Sequence, residues 1–319
     1  MPAAAVAARL GMLRLAPGQV TLRADGGFIG LLEQTLGTEV AVSVHLGPPR
    51  ANRKPVFHII EPRSGRSLAY AKLGINELTC RRVRDEAAAL SRLGAVSTGR
   101  LRVPALIAAG QWEGLDYLVM KPLTADSPAP ASPELRAAAG TDLVGAFARR
   151  TCALQTTDWW SRMWQALADD RLPRGEADRL EAVASRLAAS HGDRPLVLGA
   201  VHGDWSPWNM CAQGDSLAVW DWERFATDLP VGWDEIHYRL GSHRDGPAAA
   251  VCDPDAILSG LASPTSGEVL LATYLINQGV NHLIDRQREA GARTGDIRRW
   301  LLPALEALVE PLARPQAPS

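Results

Sequence analysis

Residues 201–225 read VHGDWSPWNMCAQGDSLAVWDWERF, two polar clusters set among apolar and aromatic residues. The first is His202-Gly203-Asp204, with Asn209 five residues beyond the aspartate; the second is Trp220-Asp221-Trp222-Glu223. An aspartate, four residues and an asparagine is the spacing of a phosphoryl-transfer loop: the carboxylate stands beside an attacking hydroxyl and the amide turns back onto a cation. Asp221 supplies the expected second cation ligand. Mg²⁺ is hard, prefers oxygen and keeps several waters, so Asn209, Asp221 and the phosphates of a nucleotide would complete its shell. The chain also carries a decoy. His191-Gly192-Asp193 repeats the tripeptide, but five residues on stands Leu198, and that copy reads as a helix end with Gly192 near the C-cap.

At 319 residues, two lobes sharing a cleft are expected rather than one compact core. The 46% hydrophobic content suits a folded globule, and a formal net charge of −1 without a basic run argues against a nucleic-acid partner. Cys80, Cys152, Cys211 and Cys252 form no C-x-x-C pair, which fits reduced thiols, no zinc site and a cytoplasmic setting. Residues 1–15 are broken by Arg9, Gly11 and Arg14 and read as neither a signal peptide nor a membrane span. Lys54, Lys72 and Lys121 are the three lysines among 34 basic residues. Where arginine is so favoured, a retained lysine draws interest, because the two are not interchangeable.

Residues 1–40 carry no motif. Strands are expected at Glu39–His45, Pro55–Ile60, Ser67–Leu73, Leu101–Ala109 and Tyr117–Met120. The Gly47–Lys54 loop sits where phosphates would be covered but is not glycine-rich; Arg50, Arg53 or Lys54 meets phosphate there, or the loop is an ordinary solvated hairpin. Lys72 ends a strand that looks buried, so it must pair or reach an anion. The Asn76–Leu93 segment has one apolar helical face, and Glu86 could point from it toward Lys72. Thr124–Ser132, with two prolines, is a connector, and backbone groups at 119–121, around Met120 and Lys121, could read a base edge. Helices are expected over Asp142–Leu154, Glu176–Ser190, Gly232–Leu240, Glu268–Glu289 and Ile297–Leu312. Trp159, Trp160 and Trp164 read as core. Asp234 is placed to hydrogen-bond the backbone of the central loop, and His237 reads as structural.

Together, Lys72, Glu86, His202-Gly203-Asp204-x4-Asn209 and Asp221 resemble the phosphotransferase enzyme family, which includes aminoglycoside phosphotransferases and is similar to choline, homoserine and methylthioribose kinases. The resemblance runs from about Val40 to Leu240. It implies an α+β, two-lobed, protein-kinase-like fold: a small N-terminal antiparallel-sheet lobe with one main helix, residues 1–121, and a larger, mostly helical lobe, residues 122–319. It implies a small-molecule kinase that moves the γ-phosphate of ATP or GTP to a hydroxyl of a sugar, amino sugar or amino alcohol. By the same resemblance Asp204 orients the hydroxyl, Asn209 and Asp221 hold Mg²⁺, Lys72 binds phosphates and is fixed by Glu86, and His202 braces the loop.

Two departures stand out: the phosphate-side loop lacks repeated glycine, and Trp208 precedes Asn209. With Trp205, Trp208 either forms a platform for a sugar face or an ammonium group or packs under the loop. The alternative function is a catalytically inert nucleotide-binding module acting through a partner protein. An aminoglycoside acceptor would want an acidic pocket, and Asp228, Asp234, Glu235 and Asp245 lie near enough in sequence to supply one.

Overall fold

Strand-forming runs punctuated by turns build an antiparallel sheet in the first third of the chain. The computed structural model describes residues 27–123, 129–261, 265–292 and 294–312. The expectations for residues 1–26, for 124–128 of the connector and for the tail beyond 312 lie outside them. A first helix, α1 (Gly27–Leu36), precedes β1 (Ala41–Leu46), β2 (Pro55–Ile60), β3 (Ser67–Leu73), α2 (Glu77–Gly94), β4 (Leu101–Arg102), β5 (Leu106–Trp112) and β6 (Leu115–Met120). Five of these strands form one sheet in the order β1-β2-β3-β6-β5, antiparallel throughout. Phe28 and Leu32 of α1 cover it, packed with Ile59, Ala69, Ala71 and Val119.

The second half is mostly helical. It comprises α3 (Pro133–Gly145), β7 (Arg150–Ala153), α4 (Asp158–Leu167), α5 (Arg174–His191), β8 (Pro195–Val201), β9 (Met210–Gln213), β10 (Ser216–Val219), β11 (Ala226–Pro230), α6 (Trp233–Ser242), two short helices α7 (Pro247–Ala250) and α8 (Pro254–Leu258), α9 (Gly267–Ile284) and α10 (Leu301–Leu312). Its strands form two small sheets, β10-β9 joined by β4 from the first half, and β11-β8-β7. The main core of this half gathers Trp159, Trp160, Leu180, Trp233, Leu271 and Leu302. Trp159, Trp160 and Trp164 thus take the packing role expected of them, Trp160 lying tilted against Trp159 and edge-to-face with Trp164.

A separate core binds the two halves. Val83 and Leu90 of α2 share it with Leu118 of β6, Leu143 of α3, and Trp205 and Trp222 from the central stretch. The stretch around Asp204 is therefore anchored to the helix that carries Glu86.

Three expectations are corrected. The Asp142–Leu154 helix is instead the end of α3 followed by β7: Ser132 caps a helix that starts earlier, with Pro133 in its first turn, and Arg150–Ala153 then pairs with Leu198–Pro195 of β8. Tertiary strand pairing overrides the helical spacing there. The Leu101–Ala109 strand is two, β4 against β10 and β5 against β6, because the chain changes sheets at Val103-Pro104-Ala105. The Glu268–Glu289 helix stops at Ile284, where Asp285 is the cap and Arg286 turns to φ 52°.

Candidate active site

Two elements present the cationic half of the site. Lys72 lies on the inner strand β3, opposite Val56 and Leu118. Helix α2 starts at a capping box, Asn76 Oδ1 accepting from the Thr79 backbone N–H and Thr79 Oγ1 accepting from that of Asn76. Its buried stripe runs Val83, Glu86, Ala87, Leu90 and Leu93. Glu86 falls in register with the apolar face, so packing the helix drives a carboxylate inward. Lys72 Nζ reaches both its oxygens, at 2.7 and 2.6 Å, and also Asp221 Oδ1 at 2.6 Å. Burial alone would push the ammonium down, but Asp221, Glu86 and Glu223 outweigh it and hold Lys72 protonated well above its ordinary value. Burial raises Glu86, while Asp221, despite its burial, is lowered by Lys72 and Lys54. Asp221 itself sits at φ 69°, a left-handed conformation uncommon outside glycine, held by this bridge.

The carboxylate half sits on the loop after β8. Gly203 has φ 82°, and a Cβ there would lie 2.6 Å from the Arg224 carbonyl oxygen, so both conformation and space demand glycine. His202 is fully buried between Trp205 and Trp222. Its Nε2 donates to the Trp220 carbonyl at 3.1 Å and its Nδ1 accepts from the Asp204 backbone N–H at 3.1 Å, tying the two polar clusters together. Burial keeps this imidazole below its usual value, hence neutral. Asp234 accepts from the backbone N–H groups of His202, at 2.7 Å, and Gly203, at 2.9 Å, the task expected of it. Burial lifts Asp234 above the ordinary carboxylate value.

Asp204 accepts from Ser206 Oγ at 2.8 Å and lies 3.0 Å from His237 Nε2. Burial pushes its carboxyl up, yet the hydrogen bond and charge of His237, with Ser206, hold it well below the usual range. Asn209 turns back on the loop, its Nδ2 donating to the Asp204 carbonyl at 3.0 Å, which leaves its amide oxygen as the cation-ready atom. Asn209 and Asp221 line one cleft of about 740 Å³ together with Lys72. That donor set is entirely oxygen, which fits Mg²⁺. Glu86, Asp221 and Glu223 also bring carboxylate oxygens within 4.8 Å of one another.

The cleft places the remaining candidates. Met120 and Lys121 line its inner end, but the Lys121 backbone N–H is already bonded to the Ala105 carbonyl at 2.8 Å, so it is not available to a base edge. Arg50 and Arg53 are exposed on the lip, whereas Lys54 is buried and paired with Glu223, which also accepts from Asn52 at 2.7 Å. The solvated-hairpin alternative therefore fails for Lys54. The two indoles separate: Trp208 is 52% exposed at the cleft, and Trp205 is 2% exposed under the loop, where no platform is possible. Sequence reasoning read His237 as structural, quoted Glu223 without a partner and missed the Asp285 cluster, because each acts across 33 or more positions of chain.

A cleft between a small antiparallel sheet and a helical lobe, with a lysine–glutamate pair on one side and Asp204, Asn209 and Asp221 on the other, defines a kinase-like fold. A family model described as the phosphotransferase enzyme family (APH) matches residues 57–231, more than half of the chain, and the chain belongs to that family. Its members are phosphotransferases.

Among solved structures, a thermostable mutant of aminoglycoside phosphotransferase APH(4)-Ia in its apo form superposes with a TM-score of 0.56 at 14% identity, covering 88% of this chain and 98% of that one. A ternary complex of a thermostable mutant of APH(4)-Ia with AMP-PNP and hygromycin B gives 0.55 at 15% over 88% and 97%. APH(2")-IIa in complex with gentamicin gives 0.51 at 12% over 92% and 97%. At these identities the likeness is one of fold. No curated protein matches the chain.

Proposed function

We propose that the protein is a Mg²⁺-dependent kinase that transfers the γ-phosphate of ATP or GTP to a hydroxyl of a small molecule of the sugar, amino sugar or amino alcohol class. The observation that carries this is the Lys72 ammonium within 2.7 Å of both Glu86 and Asp221, which ties the sheet lobe to the cluster holding Asp204 and Asn209. Phosphoryl transfer has a loose transition state with spread negative charge, so catalysis is mostly positioning and placed cations. Lys72 meets phosphate oxygens, and Glu86 and Asp221 keep it charged and aimed. Asp204 is held ionised, so it accepts a hydrogen bond from the acceptor hydroxyl and points its oxygen at phosphorus. Asn209 and Asp221 would hold Mg²⁺, which when bound neutralises phosphate charge. The neighbours with AMP-PNP, hygromycin B and gentamicin support a nucleotide donor and a sugar-like acceptor.

Three smaller assignments belong to the same reading. The division between lobes is assigned to 121/122, just past the end of β6 at Met120. Carbonyl groups near Met120 and Lys121 face the base. The free cysteines suit a cytoplasmic enzyme, and no helix among the described residues is long and apolar enough to cross a membrane. The test is Mg²⁺ linkage: nucleotide raises the melting temperature of the wild type only with Mg²⁺, and Asp221→Ala removes that dependence. Mg²⁺ dependence that survives in Asp221→Ala contradicts the assignment.

A further inference from the structure

Two cavities meet the central loop, and they share no lining residue. The larger cleft takes Lys72, Asn209 and Asp221. The smaller, about 290 Å³, is bounded by Gly203, Asp234 and His237 and roofed by α4 and α9, with Trp159, Trp233 and Tyr274 among its walls. His237 bridges it to Asp204, 3.0 Å away. In-line transfer brings acceptor and leaving group to phosphorus from opposite directions. If the first cavity holds the nucleotide, the second receives the acceptor.

Its lining is rich in donors. Arg82, Arg162 and Arg224 face it, with Asn277, Gln278 and Asn281 from α9. The carboxylates that balance those arginines stand outside the lining: Arg82 and Arg224 share one buried partner, Asp285, at 2.9 and 2.6 Å, and Arg162 pairs with Asp228 at 2.6 Å. Beyond Asp285, Arg82 reaches only the half-exposed Asp85, at the longer distance of 3.9 Å. Burial first, then the repulsion of Arg224, draws Arg82 below the ordinary guanidinium value. Arg82 Nε is buried with no hydrogen-bond partner, so its carboxylates leave this guanidinium incompletely satisfied. Asn277 gives its oxygen to Trp159 Nε1 at 2.9 Å, which leaves its amide N–H groups for a ligand.

The acidic residues that a polycationic acceptor would need are committed elsewhere. Both Asp234 oxygens accept backbone N–H groups, and Asp228 holds Arg162. Glu235 holds Arg136 and Arg239, and neither Glu235 nor the exposed Asp245 lines the cavity. Asp234 is the one carboxylate in the lining. A volume of about 290 Å³ is at the small end of the roughly 300–1,000 Å³ of ligand pockets, the scale of a single ring rather than several.

We infer that this cavity binds the acceptor and selects a single-ring or shorter hydroxyl compound bearing an oxyanion, a carboxylate or a phosphate, over a polyamine. The inference rests on the kinase reading above for its word "acceptor", and on the arginine lining for its charge.

The experiment separates the two. Tryptophan fluorescence of the full chain, reporting through Trp159 and Trp233, is followed during titration with glucuronate, glucose 6-phosphate, glucose and glucosamine, and with glycerate, glycerol and 3-aminopropane-1,2-diol. The same compounds are assayed for nucleotide consumption with Mg-ATP. The expected result is that an anionic member of a set binds at least tenfold more tightly than its neutral twin and the amino twin most weakly, carboxylate and phosphate arms showing which oxyanion is preferred. Arg162→Gln, at a half-exposed position that folding tolerates, collapses the ratio between anionic and neutral twins. Preference for the amino twins, or no response to any anionic probe, overturns the inference. An anion that binds in an Arg162-dependent way but is consumed with no nucleotide by wild type upholds the site and counts against the kinase reading instead.

Discussion

His237 Nε2 stands 3.0 Å from Asp204 Oδ1, while the hydroxyl of Tyr274 lies 2.8 Å from His237 Nδ1. Burial, with the charges of Asp204 and Asp234, raises Tyr274 well above its usual value, so its O–H donates to Nδ1 and leaves the Nε2 hydrogen facing the carboxylate. With Nδ1 taken up by Tyr274, the imidazole serves as a fixed donor to Asp204 through Nε2.

His237→Ala removes the first of the interactions that lower Asp204 against its burial. A carboxylate with a depressed folded pKa is active above that value and loses activity as pH falls through it. Without His237 the acid limb of kcat/KM moves up by about one pH unit. Tyr274→Phe gives a smaller shift in the same direction, and an unchanged pH profile in both variants would contradict the role.

Lys72→Met leaves Glu86, fully buried, without its cation. Breaking a buried pair from one side costs about 3–5 kcal/mol, whereas replacing both partners is far milder. Urea unfolding should show Lys72→Met strongly destabilised and Lys72→Met with Glu86→Gln substantially recovered, although both lose nucleotide affinity. Equal stability of the single and double variants would show that the pair is not coupled.

Gly203→Ala places a Cβ 2.8 Å from that of Arg224 at a left-handed φ. The backbone term alone costs about 1 kcal/mol or more. The loop must shift, so phosphoryl transfer falls by orders of magnitude more than the melting temperature suggests. Gly192→Ala, in the decoy tripeptide, also crowds a backbone carbonyl, that of Ala188, so it lowers the melting temperature yet leaves transfer within a few-fold of wild type.

Asp285 is buried, which raises its carboxyl, but Arg224 and Arg82 outweigh burial and the net direction is down. Its contribution to stability is thus present above the unfolded value of about 3.9 and is lost as pH falls through the lower folded value. Asp285→Asn should cost about 3 kcal/mol at pH 7, a gap that closes in melting curves taken below pH 4. A gap independent of pH would remove the charge argument.

What could be read from sequence was local. Pro55–Ile60 and Ser67–Leu73 have the bounds expected, and the stripe of α2 placed Glu86 toward Lys72 because residue period and packing face coincide. The Asp204 to Asn209 spacing fits one turn of loop. Readings failed or stayed open where a distant partner decided the outcome: β7 is a strand only because β8 is beside it, and Trp205, left open between platform and packing, is buried in one core with Trp222. His237 looked structural because nothing nearby in sequence shows that α6 ends its first turn against Asp204.

The central claim is that Asp204 directs a hydroxyl onto the γ-phosphate. Wild type and Asp204→Ala, each with Mg²⁺ and γ-labelled ATP or GTP, are incubated with a pooled set of hydroxyl metabolites, and label is followed into phosphomonoester. The account predicts transfer by wild type and none by Asp204→Ala, with Mg-nucleotide binding kept in both. Equal transfer by the variant would contradict the assignment of Asp204, and nucleotide binding by wild type without transfer to any hydroxyl would mark the protein as a binding module.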